Sequence, residues 1–521
     1  MNMRNFFSKG LATGLVAAVL VSACDFEVTN PGPVQDGNLD DKSTFQGLVN
    51  GSKRSVMNGF GRFALLGGVI VGDLTASGHT GSSGVRPEEE VARLSDEYAG
   101  RGDWNQLHNG RWIAEEALRR FAASPDVDVS TYGLAAEAHF WAGIASRTLG
   151  ENVCTAVFDG GGTLAKEAYF TDAEHGAIAH FSAAQTIANA AGLTDLATAA
   201  VGARAAAKLF IGDSGAGSDA AAVPFDFEYA TQYTGFSGSE RWYLSNSVMS
   251  LAFQSLSLWG TPMAEHFLST GDSRTAFGYD NGTLEIPSGK TAAVRGQTHP
   301  DRVTWTKLIP MFYPLKLYAP RSTQLEGGIL REIRIFEPDI AHTKTKQFNL
   351  VDGREMDLIE AETQLIAGNL AAAMTLINNV RTASAIYPWD LSSVMDLALH
   401  KDEAGQSLPN TGDYALSTPG NFSAGGMMAA VTATTMDEGW AALKYERLIE
   451  LAHEGRRFGD RWRWRKNNTE GAIHNLEYIA DVLVGRYGVP KDPLNLCFPL
   501  PKGENDANAN IPADFKDWVT G

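Results

Sequence analysis

Three glutamates near the C-terminus have a spacing that could support acid–base chemistry. Glu446, Glu450 and Glu454 recur at i, i+4 and i+8, so one continuous helix would present them on a single face. Paired carboxylates carry out hydrolysis in most glycosidases. However, stacked like charges repel each other, and four arginines lie close by in the sequence: Arg447, Arg456, Arg457 and Arg461. We therefore interpret the group as a structural charge network without a catalytic residue, and keep a surface glycan hydrolase as the alternative.

Two shorter motifs match reactive or metal sites only in part. Residues 212–215, Gly-Asp-Ser-Gly, copy the surroundings of a trypsin-like nucleophile, but they follow an alanine-rich helix pattern and lack the required context, so we predict a plain loop. Residues 126–137 partly match a calcium loop, although Thr131 replaces its turn glycine. Helix capping by Asp128 or Ser130 explains the same side chains. The histidines have no metal-ligand spacing, and we predict neither a metal nor a cofactor.

Aromatic residues that could bind a ligand cluster in residues 225–243 and around a first variable stretch after Gly72. Aromatic faces stack on sugar rings or peptide side chains, and nearby carboxylate, amide and arginine groups orient the ligand by hydrogen bonds. The alternative is that these rings seat their own loops on the helices. The predicted ligand-binding residues are Asp73, His79, Trp104, Tyr229, Tyr233, Arg241, Trp242 and Tyr243.

Amphipathic helices must position these groups. Apolar residues at helical spacing predict helices over 134–145, with Ser130 as a possible N-cap, and over 173–190, 196–210, 355–366 and 370–381. Gly368-Asn369 is expected to end one helix and reverse the chain. The alanine-rich pairs resemble tetratricopeptide-type hairpins, placed at about 105–211 and 354–382. Between them, residues 72–104, 212–243, 280–320 and 387–426 are rich in glycine, serine and proline, which predicts functional loops.

Composition and charge exclude some functions. The 521 residues carry 43 basic and 61 acidic side chains, a net charge of −18, so the basic surface that nucleic-acid binding requires is missing. An apolar content of 44% is typical of a folded globular protein. An acidic surface suits an exported protein.

The N-terminus has the features of a lipoprotein signal. Arg4 and Lys9 precede a short apolar run, too short for a membrane span, that ends in the small residues before Cys24. This pattern resembles a bacterial lipobox, in which the cysteine is acylated and becomes the new N-terminus. Residues 1–23 are then the signal peptide and 24–40 a lipidated tether, which is expected to be extended over 25–33. The alternative is an ordinary secretory signal. Cys154 and Cys497 could pair or remain buried thiols, and the sequence leaves both open.

Several ordered motifs resemble the SusD/RagB nutrient-binding lipoproteins. Residues 445–464 look like the family's signature helix, and its structural residues would be Glu446, Arg447, Glu450, Glu454, Gly455, Arg457 and Asp460. Residues 498–510 are similar to the closing pattern of prolines, a glutamate and paired asparagines. Further matches fall at 104–118, 272–274, 360–362 and 377–381. Ser273 replaces the usual proline and the typical C-terminal ending is missing, which indicates a divergent member.

The resemblance implies a fold and a role. The fold would be mainly α, an α-superhelical core of tetratricopeptide-like hairpins with a loop-rich ligand-binding half, in one domain over 41–521 whose signature region is 437–515. The protein would be anchored by lipid in the outer membrane, facing the exterior. It would capture an oligosaccharide or peptide and pass it to a SusC-like TonB-dependent transporter without bond chemistry. A tetratricopeptide-type scaffold for protein partners is a further alternative.

Overall fold

The computed structural model describes residues 36–71, 73, 75–76, 103–231, 256–257, 266, 269–272, 274, 348–384, 386, 426–452, 454–466 and 497–517. The predicted signal peptide and Cys24 lie outside these residues. So do five predicted binding residues: His79, Tyr233, Arg241, Trp242 and Tyr243. These assignments stay predictions.

Helices dominate the described part of the chain. Two 3-10 helices, Asp36–Asp40 and Lys42–Thr44, precede the first α-helix. The α-helices are α1 Phe45–Ile70, α2 Asp103–Ala123, α3 Gly133–Asn152, α4 Ala168–Thr171, α5 Ala177–Ala190, α6 Thr194–Ile211, α7 Ala216–Ala220, α8 Gly353–Ile366, α9 Leu370–Thr382, α10 Met436–Glu450, α11 Arg457–Lys466 and α12 Lys502–Ala507.

The strands are short and form two-stranded antiparallel sheets. They are β1 Thr75–Ala76, β2 Thr155–Ala156, β3 Leu164–Ala165, β4 Glu228–Thr231, β5 Leu256–Ser257 and β6 Phe348–Asp352. The pairs are β1 with β5, β2 with β3 and β4 with β6, the last interrupted by a bulge between Tyr229 and Ala230. The sheets are small additions to the helical body, although Ala156 of β2 and Leu350 and Val351 of β6 are buried in its core.

Consecutive helices pack on one another as hairpins. Helix α1 packs on α2, α2 on α3, α3 on α5, α5 on α6 and α8 on α9, while α10 covers the α8–α9 pair. The turn predicted at Gly368 is confirmed, since its φ is +81° and α9 starts two residues later. The mainly α fold with tetratricopeptide-like hairpins is confirmed as well.

Small residues explain how closely these helices approach. In α3 nearly every residue is buried, and the larger rings of α5 and α4 fill the space beside its glycines. A Cβ on Gly143 would lie 2.5 Å from the Phe181 ring, and one on Gly150 would lie 2.4 Å from the Phe170 ring. Because any side chain at these positions would clash with a buried ring, the packing requires glycine there.

One local prediction in the N-terminal half is wrong. Ser130 does not cap α3, which starts after Tyr132 without a side-chain cap; instead Ser130 donates from its N–H and its hydroxyl to Asp128 in the preceding turn.

Residues 36–40, at the end of the predicted tether, form a 3-10 helix that docks on α2. Arg120 donates to Asp36 at 2.6 Å and to Asp40 at 2.9 Å.

The signature region is two helices rather than one. Helix α10 ends at Glu450, Gly455 turns the chain with a φ of +73°, and α11 begins at Arg457. Glu454 therefore does not share a helix face with Glu446 and Glu450. A residue other than glycine would be strained at this turn, and its Cβ would also lie 2.9 Å from Ala64.

Glu446 and Glu450 lie in a buried charge network whose partners differ from those expected. Arg274 neutralises Glu446 and Glu450, and Arg381 also donates to Glu446 at 3.1 Å. The nearby arginines pair elsewhere: Arg447 with Asp460, Arg456 with Glu355, and Arg457 with Asp73. Since Glu446 and Glu450 are buried and bonded to Arg274, they cannot reach a substrate as a catalytic pair.

A disulfide and a short backbone pairing attach the C-terminal segment to the helical body. Cys154 and Cys497 are bonded across a separation of 343 residues, with Cα atoms 5.0 Å apart. Beside the bond, Phe498 donates its N–H to Asn152 at 2.7 Å, and Cys154 donates to the Phe498 carbonyl at 2.9 Å. The buried Phe498 ring packs against Phe63 and Phe458. Residues 497–517 are thus part of the body.

Within the described residues, no helix has the length and apolar character needed to cross a membrane. Over the same residues, no group of three or more histidine, cysteine, aspartate or glutamate side chains is arranged to hold a metal ion.

Candidate functional site

An open cavity of about 560 Å³ lies between α2 and the C-terminal segment, and we call it the α2 cavity. Three parts of the chain that are far apart in sequence form its wall: the first half of α2, the turn after β2, and residues 504–510. The lining residues are Trp104, His108, Asn109, Arg111, Trp112, Val157, Asp159, Gly160, Glu504, Ala507, Asn508, Ala509 and Asn510.

Helix α2 provides the aromatic side of the cavity. Trp104, His108, Arg111 and Trp112 follow at i, i+4, i+7 and i+8, so the helical period places them along one side. Trp104 is only 7% exposed and packs on the His108 ring, with centroids 3.9 Å apart. Trp112 is 55% exposed and presents most of its indole to solvent. The helix therefore combines a fixed aromatic base with one accessible aromatic face.

The opposite wall is a turn held by the C-terminal asparagines. Asp159 and Gly160 lie between β2 and β3 with φ values of +49° and +73°, and such a turn exposes its carbonyl groups. Asn508 donates to the Gly161 carbonyl at 2.9 Å and to Glu504 at 2.8 Å, while Asn510 donates to the Gly160 carbonyl at 2.7 Å. These bonds attach residues 504–510 to the turn and close that side of the cavity.

Arg111 forms the polar floor of the cavity. Its guanidinium donates to both oxygens of Glu115 at 2.9 and 2.7 Å and to Asp159 at 2.9 Å, and it lies 5.2 Å from the Phe158 ring centroid. The side chain is almost fully buried. These ion pairs hold Asp159, and with it the turn, against α2.

Histidines extend this network into the helical body. His175 lies 3.0 Å from Glu115, and His180 lies between Glu115 at 3.3 Å and His139 at 3.0 Å. Burial alone would raise the pKa of Glu115, but the hydrogen bond from His180 and the charge of Arg111 outweigh it and lower the pKa to about 2. Desolvation lowers the pKa of His139 to about 3, helped by the neighbouring His180. His139 is therefore neutral at physiological pH.

Mild acid is expected to destabilise this fold. Desolvation and the charge of Arg111 lower the pKa of His108 to about 3. The pKa of His139 is also about 3, whereas a histidine in the unfolded chain has a pKa of about 6.5. Below about pH 6.5 the unfolded state therefore binds protons that the folded state does not. The free energy of unfolding consequently decreases as the pH is lowered. Each histidine contributes up to about 1.4 kcal/mol per pH unit in this window.

Thermal unfolding measured from about pH 7.5 down to about pH 5 tests this expectation. The variant His139→Gln should show a shallower decrease of Tm with falling pH, because one titrating group is removed. A slope identical to that of the unmodified chain would contradict it.

Of the predicted binding residues in the described part of the chain, Trp104 lines the cavity, whereas Asp73 and Tyr229 do not. Asp73 is buried in an ion pair with Arg457. Tyr229 packs edge-on against Phe140 at 5.2 Å, and burial raises its pKa to about 12. Their contacts are those of residues that seat loops on the helices.

The sequence prediction missed most of the cavity. Trp112, His108 and Arg111 share a helix side with Trp104, and this spacing was a usable signal. Asp159 and Glu504 had no such signal, because nothing in the neighbouring sequence indicates that the turn after β2 and residues 504–510 lie beside α2 in the fold. The sequence indicates the paired asparagines only as part of a family pattern.

Comparison with known proteins identifies the fold. No protein-family model matches the sequence, and no curated protein matches it. Several solved structures do match. Among them are a SusD superfamily protein from Bacteroides vulgatus (TM-score 0.52, 11% identity, covering 91% of this chain and 98% of that one); a SusD/RagB family protein from Bacteroides thetaiotaomicron (0.53, 11%, 89% and 94%); and a SusD homolog from Bacteroides thetaiotaomicron (0.51, 12%, 89% and 95%). The chain therefore has a SusD-like fold along most of its length.

Proposed function

We propose that this chain is a divergent SusD/RagB-type lipoprotein that binds an oligosaccharide in the α2 cavity and passes it to a SusC-like TonB-dependent transporter. The observation that carries the proposal is the exposed Trp112 indole facing carboxylate and amide groups across an open cavity, on a SusD-like fold. A sugar ring can stack on the indole while its hydroxyls bond to the opposite wall.

The shape of the cavity favours an oligosaccharide over a peptide. Its wall holds the amides of Asn109, Asn508 and Asn510 and the carboxylates of Asp159 and Glu504, which suit a ligand with many hydroxyls. Apart from the two indoles, its apolar lining is limited to Val157, Ala507 and Ala509, so it has no deep pocket for an apolar peptide side chain. We infer binding without turnover.

The anchor and the export route are part of the same proposal. The Cys24 lipobox would attach the protein to the outer membrane, facing the exterior. The disulfide between Cys154 and Cys497 supports export, because such bonds persist in oxidising compartments. Purification of the tagged chain from its native outer membrane tests the partner: a TonB-dependent barrel should co-purify, and its consistent absence would count against the transporter.

Replacing Trp112 with alanine is expected to weaken oligosaccharide binding about tenfold or more, because the accessible stacking face is removed. A printed glycan array identifies the ligand for the full chain, and calorimetry then compares the affinities. Phe225→Ala is the matched control, since Phe225 is an exposed aromatic residue that does not line the cavity.

The proposal predicts an affinity loss for Trp112→Ala and little change for the Phe225→Ala control. Equal affinities for the two variants would show that the ligand binds elsewhere. Hydrolysis of an array glycan by the purified protein would contradict binding without turnover and favour the glycan hydrolase alternative.

A further inference from the structure

We infer that the α2 cavity selects uncharged oligosaccharides and excludes glycans that carry uronic acid or sulfate groups. This inference rests on the proposed function and adds the chemical class of its ligand. It depends on the charges that face the cavity, on what those charges already bind, and on the direction of the hydrogen bonds in the wall.

Negative charge exceeds positive charge at the cavity. Among its lining residues Asp159 and Glu504 carry carboxylates, and Arg111 carries a guanidinium. His108 also lines the cavity, beside Trp104 and Trp112, but it does not add a positive charge. Its ring stacks on Trp104 and shares a hydrogen bond of 3.0 Å with the Tyr169 hydroxyl, and desolvation and the Arg111 charge lower its pKa to about 3. The lining therefore has one positive and two negative charges.

Arg111 is already paired with carboxylates of the protein. One terminal nitrogen donates to both oxygens of Glu115, the other donates to Asp159, and the side chain is almost fully buried. The Glu115 carboxylate behind it brings a further negative charge. An anionic ligand at Arg111 would compete with these carboxylates, and displacement of Asp159 would release the turn that forms the opposite wall.

The amides of the wall also favour a donating ligand. Asn508 uses its amide nitrogen for both Gly161 and Glu504, Asn510 donates to Gly160, and Asn109 donates to Ser55 at 3.0 Å. These amides thus use part of their donor capacity inside the protein, while carboxylate oxygens remain at the surface, since the Asp159 side chain is 53% exposed. Sugar hydroxyls can donate to these oxygens, whereas carboxylate and sulfate groups can only accept.

Like charges a few ångströms apart in a solvated cleft repel each other enough to weaken binding by about tenfold. The test starts with the neutral oligosaccharide that binds the full chain best on the array. Calorimetry then compares the derivative in which one primary alcohol is oxidised to a carboxylate with its uronamide, which has the same shape without the charge. The uronate is expected to bind about tenfold more weakly than the uronamide. This affinity gap should narrow at high salt, because ions screen the repulsion.

Two variants identify the source of the discrimination. Glu504→Gln keeps the oxygen that accepts from Asn508 but removes a charge, so the affinity gap between uronate and uronamide should shrink severalfold. Asp506→Asn is the matched control, because Asp506 is an exposed carboxylate on the same short helix that does not line the cavity, and it should leave the gap unchanged.

The possible outcomes separate the two proposals. Equal or tighter binding of the uronate, or array binding confined to anionic glycans, would overturn this inference and leave oligosaccharide capture in place. The absence of binding to any glycan would overturn the proposed function and this inference with it. An equal narrowing of the gap in both variants would show that the overall negative charge of the protein, and not Glu504, excludes anions.

Discussion

Replacing Arg274 with alanine is expected to lower the free energy of unfolding by about 3–5 kcal/mol, because it removes the guanidinium that three buried carboxylates share. Arg274 donates to Glu450 at 2.6 Å and to Asp272 at 2.7 Å, and it also bonds to Glu446. All four side chains are buried. Although burial would raise the pKa of Asp272, the charge of Arg274 and the hydrogen bond from His266 hold it well below its usual value, so this carboxyl stays ionised in the folded protein.

Chemical denaturation of the full chain measures the decrease in the free energy of unfolding, and the variant Arg119→Ala provides the control. Arg119 also pairs with a glutamate, Glu116 at 2.6 Å, but its side chain is 65% exposed. Exposed pairs contribute at most about 1 kcal/mol. Similar losses for the two variants would show that the Arg274 network does not stabilise the fold through buried charge.

Removing the disulfide by the double change Cys154→Ser and Cys497→Ser is expected to cost about 2–5 kcal/mol of stability. The bond joins residues 343 apart, so its loss greatly increases the conformational freedom of the unfolded chain. The change should also weaken ligand binding, because the segment that follows Cys497 includes Asn508 and Asn510, which attach the cavity wall to the Gly160–Gly161 turn.

Denaturation of the full chain with and without a thiol reductant provides the internal control. The reductant should destabilise the unmodified protein and leave the double variant unchanged, since that variant has no Cys154–Cys497 bond to reduce. A double variant as stable as the oxidised protein would show that the backbone pairing at Phe498 and the packing of its ring are sufficient to hold the segment.

Only one of the predicted binding residues in the described part of the chain, Trp104, lines the α2 cavity. The prediction looked for aromatic density within one stretch of sequence, and Tyr229 matched that criterion. In the folded protein the same property serves packing, because Tyr229 meets Phe140. A large ring is buried more often than it is exposed for a ligand, and the sequence alone does not distinguish the two uses.

Features that depend on neighbouring residues could be predicted from the sequence. Apolar spacing predicted the helices at 355–366 and 370–381, Gly368 predicted the turn between them, and the ordered motifs indicated the SusD-like fold. The helix and turn predictions succeed because the helical period and the left-handed turn are properties of a few consecutive residues.

The structure shows which groups that are far apart in the sequence meet in the folded protein. It paired Cys154 with Cys497, placed Arg274 between Glu446 and Glu450, ended α10 before Glu454, and brought Glu504 to the cavity beside α2. The physical reason is that a cysteine, an arginine or a carboxylate carries no local signal of its partner. The partner is selected when helices pack, since buried charges must be neutralised and each close approach must fit the side chains present.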